Sequence, residues 1–148
     1  EIHVRGAQVS GRYRERSALD ADGWFPTRDA GWVDADGYLF LSGRADDVIV
    51  RGGENISPGE IEELLLTHPA VADAAAVAVP SLEWGETVGI AVVVRGGCAA
   101  PSGDELKDMI RARLRSTRVP ERVRFVPALP YNEMGKLLRR EVKALLAP

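Results

Sequence analysis

The chain has 148 residues, 45% hydrophobic and 28% charged, with a formal net charge of −3, which fits one globular domain plus part of another and excludes a disordered tail. This mildly acidic balance gives no electrostatic reason to expect nucleic acid, and no apolar run reaches the roughly 18 residues of a membrane helix. A single cysteine, Cys98, excludes an internal disulfide and fits a reducing, cytoplasmic setting, and no secretory pattern opens the sequence.

The first six residues, Glu1-Ile-His-Val-Arg-Gly6, alternate as the middle of a strand does, so the chain is expected to be a piece of a longer protein. Residues 1–43 carry strand-like runs and two Asp-x-Asp-Gly reversals, Asp20–Gly23 and Asp34–Gly37, which predict neighbouring hairpins. The aromatic pieces Trp24-Phe25 and Tyr38–Leu41 follow these turns as strands.

From Arg44 the pattern becomes mixed. Val48–Val50 is a short apolar strand ending at the turn Gly52-Gly53, where missing Cβ atoms permit positive φ and close approach of a neighbour. Ser57, Pro58 and Glu60 predict a capped helix whose apolar stripe is Ile61, Leu64, Leu65 and His68, with Pro69 stopping it. Ala74–Val79 and Val88–Val94 are strands joined by the loop Pro80–Glu86. Neither alternates, which predicts cover on both faces. Ser102 and Glu105 form a second capping box, opening a helix with Leu106, Met109, Ile110 and Leu114 inward. A third strand at Val123–Val126 and a helix over Leu137–Leu146, ending toward Pro148, complete a βαββαβα order for 44–148. The fold class is α+β: a small lobe with a short mixed sheet flanked by helices, after a β-rich stretch.

Taken alone, Gly43-Arg-Ala-Asp-Asp47 is a charged turn, Asp29 a turn-capping residue and Lys136 a solvated lysine. Taken together, Gly43–Glu63 and Leu129–Arg139, the latter carrying Gly135-Lys136, resemble in order and spacing the adenylate-forming enzymes, specifically the acyl-CoA synthetases. The resemblance covers the whole chain. It implies that residues 1–43 are the β-rich tail of a large N-terminal domain, 44–47 a hinge, and 48–148 a mobile C-terminal lobe.

The resemblance also implies roles for individual residues. Asp29, in Thr27-Arg28-Asp29, would grip ribose hydroxyls, and Arg44 would sit near the same ribose. Arg28 departs from the family's usual glycine, which puts that turn in question. Asp46 would be the hinge, Gly52 and Gly53 would face the tunnel for coenzyme A, and Lys136 would be the catalytic lysine of adenylation. No metal ligand is expected here, because His3 and His68 stand far apart and no Cys/His spacing suits a metal. The full-length parent would use ATP, Mg2+ and coenzyme A to turn a carboxylic acid into its acyl-CoA through an acyl-adenylate. A fatty acid is the first expectation, with an aromatic acid also open. The family's phosphate loop, acid pocket and magnesium-binding glutamate would lie in the missing N-terminal domain, so the fragment alone is expected to be inactive. Strands 1–43, parted from their sheet, could be disordered, pair in a dimer or exchange between protomers. Two alternatives stay open: an adenylation domain of a peptide synthetase that loads a carrier protein, and a non-catalytic α+β interaction module.

Overall fold

The structure, a computed structural model, describes residues 1–10, 12, 13 and 16–147. Pro148, where the sequence predicts the last helix to end, lies outside the described residues. The chain divides into two compact units, Glu1–Asp46 and Asp47–Pro148.

The first unit is built from paired short strands. β1 (His3–Val4), β2 (Arg12–Tyr13), β3 (Arg16–Ser17), β4 (Phe25–Pro26), β5 (Asp29–Val33) and β6 (Leu39–Arg44) form three antiparallel pairs, β1 with β4, β2 with β3 and β5 with β6. The two Asp-x-Asp-Gly reversals fold alike. Asp20 Oδ1 accepts the N–H groups of Asp22 and Trp24, and Asp34 Oδ1 those of Asp36 and Tyr38, at 2.8–3.0 Å. Gly23 and Gly37 supply the positive φ that each turn needs. Only the second joins two partnered strands. The first reverses the chain between β3 and β4, which pair elsewhere, so among the described residues it does not close one of the two expected hairpins. On the β5–β6 hairpin, Trp32 and Phe40 stack with ring centroids 4.5 Å apart.

A 3₁₀ turn, Ala45–Asp47, leads into the second unit. Its elements are β7 (Ile49–Arg51), β8 (Glu54–Ile56), α1 (Pro58–Leu66), β9 (Val71–Ser81), β10 (Gly85–Val94), α2 (Gly103–Arg113), β11 (Arg122–Phe125) and α3 (Arg139–Leu145). β10 is the spine of the sheet, antiparallel to β7 and β9 and parallel to β11, with β8 paired to the far side of β7. The mixed sheet and three helices make the fold α+β. β8 adds a strand to the expected order: Gly52-Gly53 is the turn of a two-strand hairpin, and a three-residue strand carries too short a pattern to declare itself.

Both faces of the β9–β10 hairpin are covered, which is why neither strand alternates polar with apolar. On one face Ala74, Ala76, Val88, Ile90 and Val92 pack with Ile61 and Leu65 of α1 and Leu106 and Ile110 of α2. On the other, Ala75, Val77, Val79 and Ala91 meet Val142 of α3 and Leu146. Gly89 is required there, since a Cβ would lie 2.7 Å from Val79 Cγ1 and 3.2 Å from Leu146 Cδ1. The expected 80–86 loop contracts to a tight turn, because β9 runs to Ser81 and β10 starts at Gly85.

The two helix starts differ. Ser102 and Glu105 close the full reciprocal box. At Ser57 no side-chain cap forms; Pro58 at the first turn has no N–H to satisfy, and Glu60 instead accepts from Arg118 Nε at 3.3 Å. His68 lies just beyond α1. Its Nδ1 accepts the Ala70 N–H at 3.2 Å, which leaves the proton on Nε2, 3.2 Å from Glu105 Oε1.

Candidate functional site

The first unit brings two of the singled-out residues together. Asp29 and Arg44 are partners across the β5–β6 ladder, and Arg44 Nη1 donates to Asp29 Oδ1 at 2.9 Å and to the Thr27 carbonyl at 3.2 Å. Thr27 ties the segment down further: its hydroxyl donates to the Ile2 carbonyl at 2.8 Å and accepts the Asp29 N–H at 3.1 Å. Arg28, between them, has φ +60°, so it adopts the left-handed conformation that a glycine would take freely. The turn survives the substitution. The Arg28 guanidinium lies 3.9 Å from Asp46, in a pair about two-thirds exposed at both ends.

A carboxylate beside a guanidinium suits a polyhydroxylated anion. The carboxylate accepts from vicinal hydroxyls and the cation offsets negative charge. Among the described residues, no group of three or more His, Cys, Asp or Glu side chains could hold a metal ion.

In the second unit, Gly52 (φ +56°) and Gly53 (φ +84°) form the β7–β8 turn, and their surroundings differ. A Cβ on Gly52 would meet the Trp84 ring at 2.8 Å, whereas one on Gly53 would meet nothing within 4 Å. Gly52 is therefore glycine for the protein's own packing, and Gly53 leaves open space. Arginines fix this hairpin from behind. Arg51 donates to the Thr117 and Val119 carbonyls and to Glu121 at 2.9–3.1 Å. Arg118 pairs with Glu54 and Glu60. The Arg118 hydrogen bond, aided by Thr117, holds the Glu54 carboxyl below its usual value. Burial pulls the Arg118 guanidinium down, but Glu54 and Glu60 outweigh it and hold it above the ordinary arginine value.

Lys136 stands at the end of a five-residue loop whose conformation is set by Asn132. The Asn132 carboxamide oxygen accepts the N–H groups of Met134 at 3.1 Å and Lys136 at 2.8 Å. The Asn132 N–H in turn donates to the Lys136 carbonyl at 2.9 Å, and Tyr131 and Leu137 form a bridge at the loop's base. Gly135, at φ +74°, makes the tight return. The Lys136 side chain is exposed and makes no ion pair among the described residues.

The base of the loop is anchored twice. Tyr131 donates its phenol proton to Asp73 Oδ2 at 2.8 Å. Burial and this bond push its pKa up to about 12. Arg139 donates from Nε to Asp47 Oδ2 at 3.1 Å, from Nη1 to Glu62 Oε1 at 2.5 Å and the Ala76 carbonyl at 2.8 Å, and from Nη2 to Glu62 Oε2 at 3.1 Å. Burial pulls this guanidinium down, but Glu62 and Asp47 outweigh it and hold it above the ordinary arginine value. Sequence reasoning passed over Asn132, Arg139 and Glu62. An Asn preceding a glycine turn is a signal that could have exposed the first. The Arg139–Glu62 pair spans 77 positions and has no local signature.

Residues 60–136 match the family model described as the AMP-binding enzyme C-terminal domain. Over 150 aligned residues the chain is 41% identical to a 2-succinylbenzoate–CoA ligase of Geobacillus kaustophilus, covering 99% of this chain and 30% of that protein. A fatty acid–[acyl-carrier-protein] ligase, ScoC of Streptomyces coeruleorubidus, is 44% identical over 122 residues, 82% of this chain and 23% of that protein. Among solved structures, the o-succinylbenzoate CoA synthetase of Bacillus subtilis in complex with its acyl-adenylate intermediate aligns with a TM-score of 0.88 and 36% identity, over 97% of this chain and 30% of that one. The amide bond synthetase McbA of Marinactinospora thermotolerans aligns at 0.85 and 37%, over 98% and 30%. The chain thus spans under a third of the length of these relatives.

Proposed function

The chain belongs to the C-terminal domain family of the AMP-binding enzymes, and from that premise we propose that its parent is an AMP-forming acid–thiol ligase in which these residues serve both half-reactions. In the first, a carboxylate oxygen of the acid attacks the α-phosphorus of ATP, the bond to the β-phosphate oxygen breaks, and pyrophosphate leaves an acyl-adenylate. In the second, a thiol attacks the acyl carbon, gives up its proton, and expels AMP to form the thioester. The magnesium and the acid pocket fall to the rest of the parent.

The observation that carries this reading is the bare ammonium of Lys136 on a loop locked by Asn132. A cation held without a counter-ion among the described residues is free to meet negative charge that builds up around phosphorus, where it stabilises the transition state more than the ground state. Asp29 would accept the ribose hydroxyls, with Arg44 orienting it. Asp46 would be the pivot on which residues 47–148 turn between half-reactions, since Asp tolerates more than one backbone state. After that turn the open side of Gly53 would admit the pantetheine arm of coenzyme A.

For the acid, the 2-succinylbenzoate–CoA ligase relatives favour an aromatic carboxylic acid over the fatty acid first expected. The likeness to ScoC keeps a carrier-protein thiol as the second reading for the acceptor. The test is made on the full-length parent carrying Lys136→Ala. ATP–pyrophosphate exchange falls by roughly 10²–10³, the cost of removing one well-placed electrostatic donor, while thioester formation from supplied acyl-adenylate continues. Exchange at the wild-type rate would overturn the reading.

A further inference from the structure

Beyond the Asn132 clamp, the tip of the Lys136 loop has little to hold it: Met134 is 87% exposed. The position of the ammonium is therefore decided at the base of the loop, and the strongest anchor there is Arg139, three residues past Lys136. Its guanidinium joins three segments that are remote in sequence: Asp47 at the start of the second unit, Glu62 on α1 and the Ala76 carbonyl on β9. Glu62 Oε1 also accepts the Ala76 N–H at 2.8 Å, which closes a ring of hydrogen bonds around the main chain of that one residue. The side chains of Arg139 and Glu62 are only 22% and 16% exposed, so loss of Arg139 would leave the Glu62 carboxylate partly buried without this partner, and loss of Glu62 would leave Arg139 with Asp47 alone of the two carboxylates.

We infer that Arg139 is a positioning residue for adenylation: it fixes the root of the Lys136 loop to Asp47, Glu62 and Ala76, so that the ammonium reaches the reacting phosphate at one set place. The inference rests on the reading of Lys136 given above. It makes the lysine loop move as one body with the segment that follows Asp46. Lysine at position 139 would keep the charge and lose the function, because an ammonium on a flexible stem cannot reproduce the planar fork that reaches all three acceptors. Tyr131, bonded to Asp73, fixes the other root of the loop and leaves its distal side to Arg139.

The experiment uses the full-length parent with Arg139→Lys and, separately, Glu62→Gln. It reads ATP–pyrophosphate exchange, thioester formation from supplied acyl-adenylate, and thermal unfolding. A displacement of about 1 Å at a reacting group lowers rate on the order of 100-fold, so kcat for exchange is expected to fall by about 10- to 100-fold. KM for ATP changes little, and the thioester step runs at the wild-type rate. A purely structural role would lower both half-reactions together or neither, and either result overturns the inference. Should Arg139→Lys not yield folded protein, Glu62→Gln makes the same discrimination. Lys136→Ala assayed alongside separates the two levels. Undiminished exchange there removes the underlying reading, whereas exchange lost there but kept in Arg139→Lys removes only the positioning role.

Discussion

Asp29 and Arg44, fifteen positions apart, are registered partners across the β5–β6 ladder and joined by a 2.9 Å ion pair. Both side chains are about 40% exposed, so the pair adds about 0–1 kcal/mol to stability. Its value lies in orientation. Asp29→Asn is expected to leave the thermal unfolding temperature nearly unchanged. A hydrogen bond to a charged group contributes about 1.5–3 kcal/mol, so KM for ATP in the full-length parent should rise tenfold or more. An unchanged KM would remove Asp29 from the nucleotide site.

Gly52 and Gly53 should part company under the same substitution. Alanine at either costs about 1–2 kcal/mol for the left-handed backbone. Gly52→Ala also drives a methyl into Trp84, shifting tryptophan fluorescence. Gly53→Ala meets no atom of its own chain and should leave that fluorescence alone. It should slow thioester formation while pyrophosphate exchange persists. Thioester formation at the normal rate would show that nothing threads past Gly53.

Thr87 is fully buried on β10, and its hydroxyl has no hydrogen-bond partner among the described residues. Valine fills the same volume without a polar group to desolvate, so Thr87→Val should raise stability by about 1 kcal/mol in chemical denaturation. A loss of stability would reveal a partner for the hydroxyl.

Tyr131 makes stability fall at high pH. Its phenol has a reference pKa of 10.0 and is raised to about 12 in the folded chain, by burial and by the bond to Asp73. A raised pKa means the folded state favours the protonated form, so this contribution is whole below pH 10 and is lost as pH climbs through 12. The stability difference between wild type and Tyr131→Phe should be constant below that window and shrink within it. A difference independent of pH would show that the phenol is not held by Asp73.

What the sequence disclosed was the part governed by neighbours. Leu106 and Ile110, with the box at Ser102 and Glu105, define α2 because spacing and capping act within a few residues. The unbroken apolar runs of β9 and β10 announced a sheet covered twice, although which helix lies on which face was not written there. Local rules failed where a distant group competed. Glu60 left the Ser57 box for Arg118, and Arg28 took a glycine's backbone angle in a turn held by Thr27 and Arg44. At the candidate site, Lys136 was visible through its setting in Leu129–Arg139. Asn132, which shapes its loop, was legible only as a turn residue, and Glu62 looked like one more solvated charge on α1.

The clamp at Asn132 has a consequence for conditions as much as for chemistry. A neutral amide closes the tip of the loop, so acidification or added salt does not loosen that clamp, whereas the ion pairs of Arg139 at the base answer to both. An aspartate in its place could still accept the same two N–H groups, yet would add a second carboxylate, after Glu133, to the loop that carries the lysine. By closing the loop with an uncharged group, the chain adds no negative charge of its clamp to the surroundings of Lys136.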